Sequence, residues 1–116
     1  MNRLTLALGV ALATLVVAAP VAARSTAATA TTDTVKMKEF KFVLSKKIVR
    51  HGAVTFRLKN TGTVPHDFKI GTKKSKLIKP GKTGKLVLTL KKGKWAYKCT
   101  VPGHAAAGMK GTLKVT

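Results

Sequence analysis

The feature of this sequence that most constrains its fold is an alternation of apolar and polar residues, which starts at Val35 and continues to the C-terminus. In the segment AVTFRLKN, the side chains of Val54, Phe56 and Leu58 point to one side of an extended chain, and the residues between them point to the other. Turn-forming residues interrupt the alternation at His51-Gly52, Asn60-Thr61-Gly62, Pro80-Gly81, Lys92-Gly93 and Pro102-Gly103. Short strands at near-regular spacing, with no helical pattern of useful length, predict an all-β protein built as a single β-sandwich.

The N-terminal segment MNRLTLALGVALATLVVAAPVAARS has the order of a secretory signal peptide. A basic Arg3 precedes an apolar run over residues 4–19, and small residues follow. We expect a signal peptide over residues 1–23, cleaved after Ala23, with cleavage after Ala19 as the alternative. An uncleaved membrane anchor is less favoured, because the run is short and ends at Pro20, whereas a spanning helix needs about 20 apolar residues. The mature protein is therefore expected in the periplasm or outside the cell.

Residues 24–34, RSTAATATTDT, are rich in Ala and Thr and have no apolar periodicity. They predict a flexible leader, so that the folded domain covers residues 35–116. Removal of 23 residues from 116 leaves 93, which is enough for one small domain. A single cysteine permits no internal disulfide bond, so the core, with or without a bound metal, must stabilise the domain.

The chain is strongly basic, with 23 Lys and Arg residues against 3 Asp and Glu residues and a formal net charge of +20. Only Arg3 is lost with the signal peptide, which leaves about +19 on the mature chain. Most lysines fall on outward positions of the predicted strands, where they form a solvated face. The charge predicts attraction to acidic proteins and permits weak association with an anionic membrane surface. Nucleic-acid binding is not expected, because no exposed aromatic platform is visible, and a monomer is the default.

The cysteine, one methionine and two of the histidines are arranged in the sequence like the ligands of a metal site. Cys99 ends the predicted strand KWAYKC, His104 and Met109 follow in one loop, and His66 precedes another predicted strand. Taken singly, each residue has an ordinary structural interpretation: a loop histidine, a small buried thiol or a methionine that fills the core. Taken together, two imidazoles, a thiolate and a weak axial thioether are the donors of a blue-copper electron-transfer site. His51, in a turn, is expected at the surface.

The segment YKCTVPGHAAAGMKGTLKV resembles the C-terminal copper loop of the cupredoxins, the small blue-copper proteins such as plastocyanin, azurin and rusticyanin. The resemblance extends over nearly the whole mature chain, through KEFKFVLSKKIVRHGAVTFRLKNTG, VPHDFKI and IKPGKTGKLVLTL. It implies a Greek-key β-sandwich that binds one type 1 copper ion through His66, Cys99 and His104, with Met109 as the axial ligand. It also implies a one-electron carrier and no enzymatic activity.

Two further sets of residues gain expected roles from the resemblance. Asp67 stands where plastocyanin and azurin have an asparagine that braces the copper loop, and Thr100 follows the cysteine as a Ser or Thr often does. A carboxylate near copper lowers its reduction potential unless it is hydrogen-bonded. Small residues around His104 are expected to form a flat docking patch for a redox partner: Pro102, Gly103, Ala105, Ala106 and Ala107.

The leading hypothesis is transient electron transfer with an acidic redox protein, such as a cytochrome or a copper or haem enzyme. A copper carrier or buffer without redox function is the alternative, although the chain has only three methionines for an open carrier site. A cationic surface-binding protein is a further alternative. A copper enzyme is not expected, because only His51 is left for a second copper centre.

Overall fold

The computed structural model describes residues 9–19 and 30–116, and these contain nine strands and no helix. No helix in the described part of the chain is long and apolar enough to cross a membrane. The predicted cleavage after Ala23 and most of the predicted leader lie outside the described residues. The strands are β1 (Thr31–Lys38), β2 (Lys41–Leu44), β3 (Ile48–Val49), β4 (Gly52–Asn60), β5 (Lys69–Ile70), β6 (Lys73–Lys74), β7 (Thr83–Leu90), β8 (Gly93–Lys98) and β9 (Lys110–Val115).

The strands form two sheets, with the orders β2-β1-β4-β7 and β3-β9-β8-β5-β6. Most neighbours are antiparallel, but β1 runs parallel to β4 with Val35 opposite Leu58, and β3 runs parallel to β9. The predicted all-β sandwich is therefore confirmed.

The core lies between the sheets and follows the period-two alternation of the sequence. In β4, Val54, Phe56 and Leu58 are buried. Because opposite faces of each strand alternate between core and solvent, the lysines fall outside, as predicted. The fully buried apolar side chains with the largest volumes are Phe56, Phe68, Met37, Leu58, Ile70, Leu90, Met109, Leu113, Val35 and Val54.

The predicted boundary between leader and domain is wrong by four residues. Residues 31–34, expected to belong to a flexible leader, form the first half of β1 and pair with β4. Asp33 is fully buried, and its Oδ1 atom accepts hydrogen bonds from the Ser45 hydroxyl (2.8 Å) and the Lys46 backbone N–H (2.9 Å). The Thr-rich composition hid this strand, because its inward positions include a threonine and an aspartate rather than an apolar series.

Candidate metal centre

Three side chains singled out from the sequence, those of His66, Cys99 and His104, converge at one end of the sandwich. The Nδ1 atoms of His66 and His104 are 3.1 Å apart. The Cys99 Sγ atom lies 4.0 Å from the first of these nitrogens and 3.6 Å from the second. Among the residues that the structure describes, this is the one group of His, Cys, Asp and Glu side chains spaced to hold a metal ion.

The separations between these donor atoms fit a single small cation. With bonds like those of Zn²⁺, about 2.0 Å to nitrogen and 2.3 Å to sulfur, a planar trigonal arrangement separates the donors by about 3.5–3.7 Å. The observed separations of 3.1, 3.6 and 4.0 Å bracket this range. A soft thiol with two imidazoles is also the donor chemistry that favours copper.

Cys99, His104 and Met109 are placed by one short loop that closes on itself. The Cys99 N–H donates to the Met109 carbonyl, and the Met109 N–H donates to the His104 carbonyl, both at 3.1 Å. Gly108 precedes Met109 with a φ of 115°, a conformation that side chains disfavour. Cys99 and Met109 are buried, whereas His104 is half-buried and reaches the surface.

His66 is held from the opposite side by backbone and side-chain contacts. Its N–H and carbonyl both pair with Ile78. The preceding loop is fastened by buried Asn60, whose Nδ2 group donates to the carbonyls of Val64 and Ile78, each at 2.8 Å. The Asn60 Oδ1 atom accepts from the Gly62 N–H at 2.9 Å. The imidazole of His66 is fully buried and has little room to rotate.

Asp67 and Thr100 are hydrogen-bonded to each other, which is the contact expected if Asp67 braces the loop after Cys99. The Thr100 N–H donates to Asp67 Oδ1 at 2.6 Å, and the Thr100 hydroxyl donates to Asp67 Oδ2. The carboxylate thus joins the segment after His66 to the segment after Cys99. Because both of its oxygens are hydrogen-bonded, part of its negative charge is neutralised before it can act on the centre.

The pKa of the Cys99 thiol is raised by burial, while hydrogen bonds from the backbone N–H groups of Asp67 and Val101 oppose that rise. Without a metal, the thiol is therefore protonated and weakly nucleophilic at neutral pH. A coordinated thiol is deprotonated, so that metal binding and proton release are coupled at this residue.

The expected docking patch surrounds His104. Pro102, Gly103, Ala106 and Ala107 are exposed, and Ala105 is half-buried. His51 lies at the surface as expected, and its Nδ1 atom is 2.9 Å from the Thr116 carbonyl oxygen.

Two residues beside the centre were missed from the sequence. Phe40 is 42% exposed and packs edge-on against the His104 ring, with ring centroids 5.0 Å apart. Glu39 contacts the imidazole of His66, with its Oε1 atom 3.1 Å from Nε2. The scarcity of acidic residues in this chain could have drawn attention to Glu39, but no local motif connects it to His66.

Comparisons with known proteins agree with this arrangement. The family model described as "Cupredoxin-like domain" matches residues 8–115. Auracyanin A, a "blue" copper protein of Chloroflexus aurantiacus, is similar in structure with a TM-score of 0.66 at 24% identity, over 75% of this chain and 99% of that chain. Auracyanin of Roseiflexus castenholzii gives a TM-score of 0.63 at 23% identity, over 74% of this chain and 97% of that chain.

A blue copper oxidase of Nitrosomonas europaea has a TM-score of 0.60 at 19% identity, over 74% of this chain but only 38% of its own. At these identities the structural similarities establish a shared fold. Comparison with curated proteins finds no significant sequence match. The family match and the converging imidazoles and thiol, with Met109 beside them, are typical of one type 1 copper ion.

Proposed function

The chain belongs to the cupredoxin-like family, and on this premise we propose that it is an exported type 1 copper protein that carries one electron at a time between redox partners. His66, Cys99 and His104 are the proposed ligands, and Met109 is the proposed axial ligand. The observation that supports this most directly is the convergence of two imidazole Nδ1 atoms and one buried thiol within 4.8 Å. Export rests on the predicted signal peptide.

Copper, when bound, supplies a centre that accepts and releases one electron by cycling between Cu(II) and Cu(I). The chain's own part is to keep the donors in place in both oxidation states. The Asp67–Thr100 brace and the Cys99–Met109 backbone bond fasten the loop, and Asn60 fastens the approach to His66. Burial excludes water from Cys99 and His66, whereas half-buried His104 offers a short route to a partner at the docking patch.

The electron-carrier proposal and the copper-buffer alternative differ in what happens on reduction. The copper-loaded protein is reduced with ascorbate and reoxidised with hexacyanoferrate(III), in the presence of a chelator selective for Cu(I). A carrier retains its copper and its spectrum over repeated cycles, because the same donors bind both oxidation states. Transfer of the copper to the chelator within one cycle would favour a buffer.

A row of four lysines crosses the five-stranded sheet beside the proposed centre. Cross-strand pairing places Lys110 opposite Lys98, Lys98 opposite Lys69, and Lys69 opposite Lys74. Neighbouring strands are about 4.8 Å apart, so this lysine row spans about 14 Å on one face. Lys98 immediately precedes Cys99, which places the row at the metal-binding end of the sheet.

Like charges directly opposite each other destabilise a sheet, so the lysine row costs folding free energy. No acidic side chain offsets it, because all three acidic residues have other partners: Asp33 bonds to Ser45 and Lys46, Glu39 to the loop before His66, and Asp67 to Thr100. A partner with a matching acidic surface would relieve this repulsion. The lysine row therefore suits an acidic redox protein that docks beside His104.

Removing the charges of the row is expected to slow electron transfer with an anionic partner. The triple variant Lys69→Gln/Lys98→Gln/Lys110→Gln is compared with the wild type for reduction by hexacyanoferrate(II), a small anionic reductant. At low ionic strength we expect a rate constant lower by about tenfold or more, because steering by a charged surface contributes 10- to 1000-fold to association. The difference should shrink as salt is added.

A matched control removes three charges from the opposite end of the sandwich: Lys47→Gln/Lys91→Gln/Lys92→Gln. These lysines are exposed and lie next to the starts of β3 and β8. We expect the control to slow the reaction much less. Equal slowing by both variants would mean that net charge, and not the lysine row, attracts the anion.

A further inference from the structure

Glu39 lies in the turn between β1 and β2 and reaches across to the loop that leads to His66. One carboxylate oxygen, Oε1, lies within hydrogen-bond distance of three nitrogen atoms. They are the backbone nitrogens of Thr63 (2.7 Å) and Val64 (2.9 Å) and the Nε2 atom of His66 (3.1 Å). The His66 side chain is fully buried, and that of Glu39 is 23% exposed.

The contact fixes which nitrogen of His66 carries the proton. The Oε1 atom of Glu39 already accepts hydrogen bonds from the backbone N–H groups of Thr63 and Val64. An oxygen that accepts two N–H groups is placed as a carboxylate acceptor, and a carboxylate can only accept hydrogen bonds. Nε2 of His66 must then be the donor, which leaves the Nδ1 lone pair free on the side of Cys99 and His104.

The loop before His66 is shaped to receive this carboxylate closely. A side chain at Gly62 would overlap the Glu39 carboxylate, so only glycine permits the approach. Glu39 is one of only three acidic residues in a chain of net charge +20. In the described part of the chain, Glu39 and His66 form the one contact within 4.0 Å between a carboxylate and the nitrogen of a basic side chain.

A carboxylate bonded to the far nitrogen of a metal-binding imidazole orients the ring and increases its basicity. It also places a negative charge one ring away from the metal. That charge stabilises Cu(II) more than Cu(I), because the attraction increases with the charge of the ion. Unlike the carboxylate of Asp67, which is hydrogen-bonded to Thr100 in the neighbouring loop, that of Glu39 acts directly through a proposed ligand.

We propose that Glu39 is a positioning residue of the copper site: it holds His66 in the tautomer that presents Nδ1 to copper, and its charge lowers the reduction potential. This inference rests on the proposed ligand role of His66.

Two variants separate the charge of Glu39 from its hydrogen bonds. Glu39→Gln keeps an oxygen that accepts the same three N–H groups but removes the charge, whereas Glu39→Ala removes both. Asp33→Asn is the matched control, because it removes a carboxylate charge from a buried residue bonded to Ser45 and Lys46 instead of to a proposed ligand.

The first readout uses metal-free protein, in which long-range ¹H–¹⁵N NMR spectra report the tautomer of His66 at neutral pH. We expect the proton on Nε2 in the wild type and in Glu39→Gln, and a mixture of tautomers in Glu39→Ala. Zn²⁺ affinity, measured by competition with a chelator, should fall by about 10- to 100-fold in Glu39→Ala. A His66 tautomer in Glu39→Ala identical to that of the wild type, with unchanged Zn²⁺ affinity, would overturn the positioning role.

The second readout is the reduction potential of the copper-loaded protein. Glu39→Gln is expected to raise it, and Asp33→Asn is expected to leave it close to that of the wild type. An unchanged potential in Glu39→Gln, beside a wild type with a type 1 spectrum, would overturn the electrostatic role alone. A wild type without a type 1 spectrum would instead overturn the proposed function.

If Glu39→Ala does not fold, Glu39→Gln still decides the electrostatic role. The positioning role is then decided by the Zn²⁺ affinity of Glu39→Asp, in which the carboxylate reaches less far toward His66.

Discussion

Replacing Cys99 with serine is expected to abolish the intense visible absorption of the copper(II) protein completely. That absorption is a charge transfer from a thiolate to copper, and a serine hydroxyl does not supply a thiolate. The structure places the sulfur 3.6 and 4.0 Å from the two imidazole nitrogens, with no second cysteine in the sequence to replace it. The visible spectrum is measured after addition of one equivalent of Cu(II) to purified Cys99→Ser.

His51→Gln is the matched control for loss of a potential copper ligand. His51 is exposed and hydrogen-bonds to Thr116, whereas the converging histidines are His66 and His104. We expect its spectrum to equal that of the wild type. Persistence of the band in Cys99→Ser would show that the thiol is not a ligand.

Replacing Phe68 with alanine is expected to lower the free energy of unfolding by about 3–5 kcal/mol. Phe68 is fully buried, and its ring lies 5.2 Å from that of Phe42, 5.1 Å from that of Phe56 and 5.4 Å from that of Tyr97, centroid to centroid. The truncation removes the apolar contacts that Phe68 makes with both sheets. It leaves a cavity at a position that follows His66 by two residues in the sequence. Urea unfolding of the metal-free protein, followed by fluorescence of the single tryptophan, measures the change.

Phe40→Ala serves as the control for Phe68→Ala, because it deletes the same side chain at a site that is 42% exposed. We expect a smaller loss there, about 1–2 kcal/mol, since a large part of the ring is already in contact with water. A domain of this size has only about 5–15 kcal/mol of stability, so partial unfolding of Phe68→Ala in buffer would also agree with the expectation. Equal losses for the two variants would contradict the description of the core.

The strands were predictable where apolar and polar residues alternate without interruption. Trp95, Tyr97 and Cys99 share the inward face of β8 and its extension, as their spacing indicates, although Trp95 and Tyr97 are only half-buried. The pairing of strands was not predictable in this way. The parallel contacts of β1 with β4 and of β3 with β9 join segments that are distant in sequence, and alternation carries no information about which strands are neighbours.

In the site, too, residues that are close in sequence could be predicted as a group, whereas contacts between distant segments were missed. Cys99, His104 and Met109 lie within one loop, so their spacing alone marks them as a group. Glu39 is 27 residues before His66, and their contact depends on how the β1–β2 turn meets the loop after β4. The contact of Phe40 with His104 depends on the same turn, which interrupts the alternation that would otherwise have placed Phe40 with Phe42.

We propose that this chain builds a type 1 copper site, and the visible and EPR spectra of residues 24–116 with one equivalent of Cu(II) test that claim. Intense charge-transfer absorption with narrow copper hyperfine splitting is the predicted result, because a buried thiolate and two fixed imidazoles share the ion. A pale solution with the wide hyperfine splitting of ordinary Cu(II) would contradict the claim and favour a copper buffer or a cationic binding protein.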